Sequence, residues 1–164
     1  MKLFRKGGII FFLIALTFVM SGCFSRVARV IEKPPKVDEL AEDNKYHYYN
    51  NEMGIEIVFP EEFIYYQVQR IDSENFTDLE FLVPTKDSSY PSVVPNFAKP
   101  IAIRIFDKNY WEQNYEEYEV VYQKQDERSG KVYTTKIWHN LPTDWQEKWT
   151  PEMQYTILDS LVIR

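Results

Sequence analysis

The chain has 164 residues, 45% of them hydrophobic and 16% aromatic, with 25 acidic against 19 basic residues and a single cysteine. That length suits one domain with an attached segment. The acidic balance repels phosphate backbones and argues against nucleic acid as a partner, and a lone cysteine forms neither an internal disulfide nor a thiolate metal cluster.

The chain opens with Lys2, Arg5 and Lys6, runs through an almost wholly apolar stretch over residues 7–20, and sets Ser21 and Gly22 before Cys23. A positive start, an apolar middle and small residues at the end are the three parts of a secretory signal peptide. The apolar run falls short of the roughly 17 to 25 residues of a membrane-spanning helix. Small residues ahead of the cysteine resemble the lipobox of bacterial lipoproteins, with Met20 in the place usually held by leucine. The resemblance implies that residues 1–22 are removed and that the Cys23 thiol is acylated, giving an exported protein anchored to the bacterial membrane. Each buried acyl CH₂ contributes about 0.8 kcal/mol, so two or three chains hold stably. Phe24 is not the aspartate that commonly signals inner-membrane retention in two-membrane bacteria, which favours the outer membrane where one exists. Cleavage takes three of the 19 basic residues and no acids, leaving 142 residues with 16 bases against 25 acids, a formal charge of −9.

Residues 23–45 read as the lipidated cysteine and a flexible tether. Pro34 and Pro35 favour extended backbone, and Asp38, Glu39, Glu42 and Asp43 keep the stretch solvated. Residues 46–164 read as a single domain. Residues 46–49 are β-prone, residues 50–54 carry turn residues, and Ile55, Ile57 and Phe59 alternate up to Pro60, which predicts a hairpin. Leu79, Phe81 and Val83, then Ile101, Ile103 and Ile105, predict two further strands with one buried face each.

Trp111, Tyr115 and Tyr118 follow at helical spacing, with Glu112, Glu116 and Glu117 on other faces, which predicts one amphipathic helix. Residues 119–125 and 131–139 flank a turn at Gly130 and predict a second hairpin. Thr143 stands three residues before Gln146 like a capping box, and Thr150 precedes Pro151 like a cap before a first-turn proline. Met153, Ile157, Leu158 and Leu161 share the face of the helix that follows.

Strands in hairpins with helices added between and after them make the class α+β, an antiparallel β-sheet flanked by helices. Tyr49-Asn50, the stretch over residues 54–60 and the ending Ile157-Leu158-Asp159-Ser160-Leu161 resemble PsbP-like domains. That resemblance implies an α/β/α sandwich and carries over no catalytic residue, and fold does not dictate function. A strand that such domains often place between His139 and Thr150 has no clear signal here.

Chemical signatures are sparse. Gly54 and Gly130 are the only glycines after Cys23, too few for a phosphate-cradling loop, and His47 and His139 lack metal-ligand spacing. No catalytic residue, metal ligand or cofactor is assigned, and the chain reads as non-enzymatic. Glu61 and Glu62, and the acids at 112–119, are the carboxylates from which a glycosidase-type pair would have to be drawn. Two features remain. The loop over residues 85–99 sets Tyr90, Val93, Val94 and Phe97 among prolines and serines, as a partner-binding loop would. The aromatic excess, with Tyr46, Tyr48, Tyr49, Tyr65, Tyr66 and Tyr110, offers ring faces, and Trp145 and Trp149 at helical spacing form a candidate ligand surface. The leading expectation is an envelope lipoprotein that docks on another envelope protein. A glycan or small-ligand module is the alternative, and an envelope hydrolase the third.

Overall fold

A computed structural model describes residues 29–32, by their backbone, and residues 41–164. The expected signal peptide, Cys23 and most of the expected tether lie outside the described residues. The strands are β1 (Arg29–Glu32), β2 (Tyr46–Asn50), β3 (Ile55–Phe59), β4 (Gln67–Asp72), β5 (Phe76–Pro84), β6 (Phe97–Asp107), β7 (Gln123–Arg128), β8 (Lys131–Ile137) and β9 (Val162–Ile163). The helices are α1 (Lys108–Gln113), α2 (Tyr115–Tyr118) and α3 (Pro151–Asp159), with 3₁₀ turns at Glu61–Phe63 and Thr143–Trp145.

The fold is α+β, built on two antiparallel sheets. One has six strands in the order β1-β4-β5-β6-β8-β7, and the other has three in the order β2-β3-β9. Alternation along the strands sorts the large sheet into two faces. On the inner face Phe81, Ile101 and Ile137 stand in one cross-strand row, with Leu79 and Ile103 in the next and Ile105 and Tyr133 in a third. The small sheet and α3 pack against this face through Tyr48, Ile57, Phe59 and Ile157. Rings dominate the contact: Phe59 stacks on Phe63 at 4.6 Å and meets Phe81 at 4.9 Å, while Tyr48 meets Phe81 edge-on at 5.1 Å.

The outer face carries a second cluster, Phe106, Trp111 and Val132, with Phe76, Tyr110, Tyr118 and Tyr122 around it. The single helix expected over residues 111–118 is here two short ones. Asn114 breaks it, with φ −123° and ψ 19°, and its side-chain amide donates to the Tyr110 carbonyl at 2.8 Å, competing with the helical ladder. The break lets Tyr118 and Tyr122 close on Phe106, at 4.7 and 5.8 Å, and turns Tyr115 outward to 47% exposure.

Other expectations are corrected in detail. The stretch read as a tether contains β1, which pairs along β4 from Arg29 opposite Ile71 to Glu32 opposite Val68. The second hairpin is real, but β7 begins at Gln123, and both Ser129 and Gly130 take positive φ in its two-residue turn. Thr143 makes no capping box, because its hydroxyl and amide both donate to Asp87. Thr150 does cap α3, accepting from the Met153 amide at 3.2 Å. No strand lies between His139 and Thr150.

The short β9 reaches only Ile55 and Glu56 of β3. Beyond it Ser160 Oγ takes over the ladder, accepting from the Val58 amide at 2.9 Å. At the other end of β9, the Arg164 amide donates to the Gly54 carbonyl at 2.8 Å, and a Cβ on Gly54 would sit 2.5 Å from the Arg164 carbonyl oxygen. Gly130 shares the left-handed conformation but faces open space. In urea unfolding, Gly130→Ala is expected to lose about 1–2 kcal/mol from backbone strain alone. Gly54→Ala should lose that and more, because the C-terminal strand must move aside; equal losses would show that β9 contributes nothing. Ser160→Ala should cost about 1–3 kcal/mol by orphaning the Val58 amide.

Candidate functional site

The large sheet has two ends. At one lie the turn over residues 72–76 and the β7–β8 turn; at the other lie the loop over residues 85–96 and the end of β8. The loop end holds the long proline-bearing segment singled out from sequence, and it is pinned. Its neck closes where the Thr85 amide donates to the Asn96 carbonyl at 2.9 Å. Two carboxylates then clasp it to the 3₁₀ turn at Thr143–Trp145. Asp87 accepts from the Thr143 amide at 2.9 Å and hydroxyl at 3.0 Å, and Asp144 accepts in return from the Thr85 hydroxyl at 2.7 Å and the Lys86 amide at 2.9 Å. The indole N–H of Trp145 donates to the Pro84 carbonyl at 3.0 Å, and that of Trp138 to the Tyr90 hydroxyl at 3.1 Å.

Hydrogen bonds from the Ser89 hydroxyl and the Thr143 amide hold Asp87 well below the usual carboxylate range. Burial pushes Asp144 up, but the bonds from Thr85 and Lys86 outweigh it and leave its pKa lowered. Both carboxylates are thus engaged in holding loop geometry.

The pinned loop forms one wall of a groove on the outer face. A hollow of about 300 Å³ is lined by Tyr90, Lys99, Ala102, Lys136, Trp138 and His139. A second of about 300 Å³ shares Lys136 and His139 and continues to Val120, Val121 and Tyr122. A third of about 80 Å³ lies under the loop, between Leu82, Val94 and Phe97. Lys99 is paired with Glu80, and the Lys136 ammonium lies 5.6 Å from the Tyr122 ring. Val93 at the loop tip and Val120 across the groove are each 77% exposed.

The four loop residues therefore part ways. Val93 is presented to solvent. Tyr90 and Val94 are half-buried groove walls, and Phe97 is half-buried at the start of β6 rather than in the loop. Trp145 and Trp149 do not form a ligand surface: they are 2% and 5% exposed, locked edge-on against Trp138 at 5.5 and 5.3 Å. Their spacing put them on one face, and that face is core. Tyr46, Tyr48 and Tyr66 are buried, Tyr110 is half-buried, and Tyr49 and Tyr65 are exposed.

His47 stacks on Tyr49 with its Nε2 3.1 Å from Asp43, and His139 stands in the groove wall. Glu61 and Glu62 sit on a 3₁₀ turn, while Glu112, Glu116 and Glu117 are exposed on α1 and α2. Among the described residues no cluster of three His, Cys, Asp or Glu is placed to hold a metal.

Sequence reasoning missed Asp87, Asp144, Trp138, Lys136 and Val120. Asp87 followed by two serines is a local turn signal. Nothing in the sequence pairs it with Thr143, 56 positions on. Compared with protein-family models, curated proteins and solved structures, the chain matches none.

The clasp sets a pH dependence. A carboxylate whose pKa is lowered on folding adds stability that is full above its unfolded value and is lost as pH falls through the folded one. The loop should thus stay closed from neutral pH down to about 4 and open in stronger acid, read as a change in Trp138 and Trp145 fluorescence. Asp144→Ala should open it at neutral pH, seen as protease cleavage within residues 86–96, at a cost of about 1–3 kcal/mol.

Proposed function

We propose that the protein is an exported lipoprotein, anchored through Cys23, whose domain docks on another envelope protein through the groove at the loop end. The observation that carries this reading is the clasped loop. A loop already held by Asp87 and Asp144 loses little conformational freedom when a partner covers it, so apolar contacts at Val93 and across the groove translate into affinity. The wall chemistry suits a protein segment: aromatic faces at Tyr90 and Trp138, aliphatic side chains at Val94, Val120 and Val121, and a cation at Lys136. The lipobox resemblance supports the anchor. The buried positions of Trp145 and Trp149 weigh against the glycan-binding alternative.

Crosslinking of tagged, lipidated protein in a gently solubilised envelope is the test. Val93→Asp and Val120→Asp alter exposed side chains and should leave the fold intact. The expected result is a stoichiometric protein partner that is lost together in both variants. A partner retained by both, or none captured by the anchored wild type, would overturn the docking reading.

A further inference from the structure

The register of β1 fixes its direction. Arg29 lies opposite Ile71 and Glu32 opposite Val68, so the chain enters the large sheet at the turn end and runs toward the loop end. Cys23 stands six residues before Arg29. Six residues reach at most about 22 Å, at about 3.6 Å each, whatever conformation they take. Arg29 stands in the cross-strand row of Ile71, Asp78 and Arg104, three residues from the turn end of β6 at Asp107 and seven from its loop end at Phe97. At about 3.3 Å each these are about 10 and about 23 Å, so the turn end lies well within that reach and the loop end at its limit.

We propose that β1 is an orienting strap that sets the turn end of the domain against the lipid headgroup surface and points the loop groove away from it. The inference rests on the anchored reading of Cys23 and adds to it a defined face toward the bilayer. A free tether over the whole of residues 24–45 would let the domain tumble; a four-residue strand paired along β4 removes that freedom after the first few residues.

Charge at the turn end is compatible with this placement. The mature chain is acidic, and here most of the charged groups are paired, exposed Glu74 in the turn being the exception among the described residues. Arg70 binds Glu52 at 2.7 Å and Asp72 at 3.0 Å, Lys108 and Lys124 share Glu127, Arg128 lies by Asp126, and Lys131 lies by Asp107. These five cations offset five carboxylates, and Glu112 beside Lys108 and exposed Glu74 leave this end a small negative surplus, which a zwitterionic headgroup surface tolerates. At the far end the groove, with Tyr90, Trp138 and Lys136, stays open to a partner standing off the membrane.

The test uses the full lipidated chain in phosphatidylcholine vesicles that contain a headgroup-labelled acceptor lipid. Ser73→Cys places a donor dye in the 72–76 turn, and Ser88→Cys places one in the loop; both positions are exposed. Energy transfer is expected to be several-fold higher from position 73 than from position 88. Val30→Pro with Ile31→Pro removes two consecutive amides, one of which faces β4, and should make the two positions equal. Equal transfer in the otherwise wild-type chain overturns the strap, as does an asymmetry that survives the double proline. Mass spectrometry of Cys23 and vesicle flotation report on the anchor separately. A chain without lipid that fails to float overturns the anchored reading, whereas a floating chain with equal transfer overturns the strap alone.

Discussion

The structure depends on the burial of β6 from both sides. Ile101, Ile103 and Ile105 face the small sheet, while Ala102 and Phe106 face outward and are buried as well. A strand covered on two faces needs a layer on each, and the remaining elements supply them. The β2-β3-β9 sheet with α3 covers one side through a stack of phenylalanines. On the other, α1 and α2 bring Trp111 and Tyr118 onto Phe106. The break at Asn114 serves the same demand, since with it Tyr118 packs on Phe106 while Tyr115 stays exposed.

Between the two aromatic ends of the outer face runs a band of charge that is also enclosed. Asp78, 5% exposed, receives a bidentate pair from Arg104 at 2.6 and 2.7 Å, and the guanidinium lies 3.9 Å from the Phe76 ring and 4.7 Å from the Tyr122 ring. Such a pair adds little net stability over an apolar one of the same shape, but loss of either partner would strand a buried charge. It therefore specifies the β5–β6 register, in which Asp78 and Arg104 stand opposite each other. The groove at the loop end begins where this enclosed band gives way to Glu80, Lys99 and Lys136.

The candidate site owes its form to carboxylates used as struts. Asp87 and Asp144 reach across to each other's segments and accept four hydrogen bonds between them, so the loop and the 3₁₀ turn hold one another. An acid that serves in this way is unsuited to proton transfer near neutral pH, because its lowered pKa makes it a weak base. What the struts hold in place is an exposed aliphatic side chain, Val93, beside the aromatic rings of Tyr90 and Trp138.

Sequence alone determined the features that arise from neighbours along the chain. Alternation located β3, β5, β6 and β8, because side chains two apart share a face in any strand, and β propensity ahead of a turn signal located β2. Thr150-Pro151 located the start of α3, and Gly130 a turn, because cap and turn chemistry is local. Tertiary structure alone decided which of those faces meet. It placed Trp145 and Trp149 in the core, brought β1 and β9 to sheet edges, and joined Asp87 to Thr143. A four-residue strand or a two-residue strand has too few side chains to show a period, and its stability comes from the strand it pairs with. Whether an aromatic pair on one face is surface or core depends on what lies opposite, and here Phe63 and Trp138 lie opposite it, brought there by the packing of the two sheets.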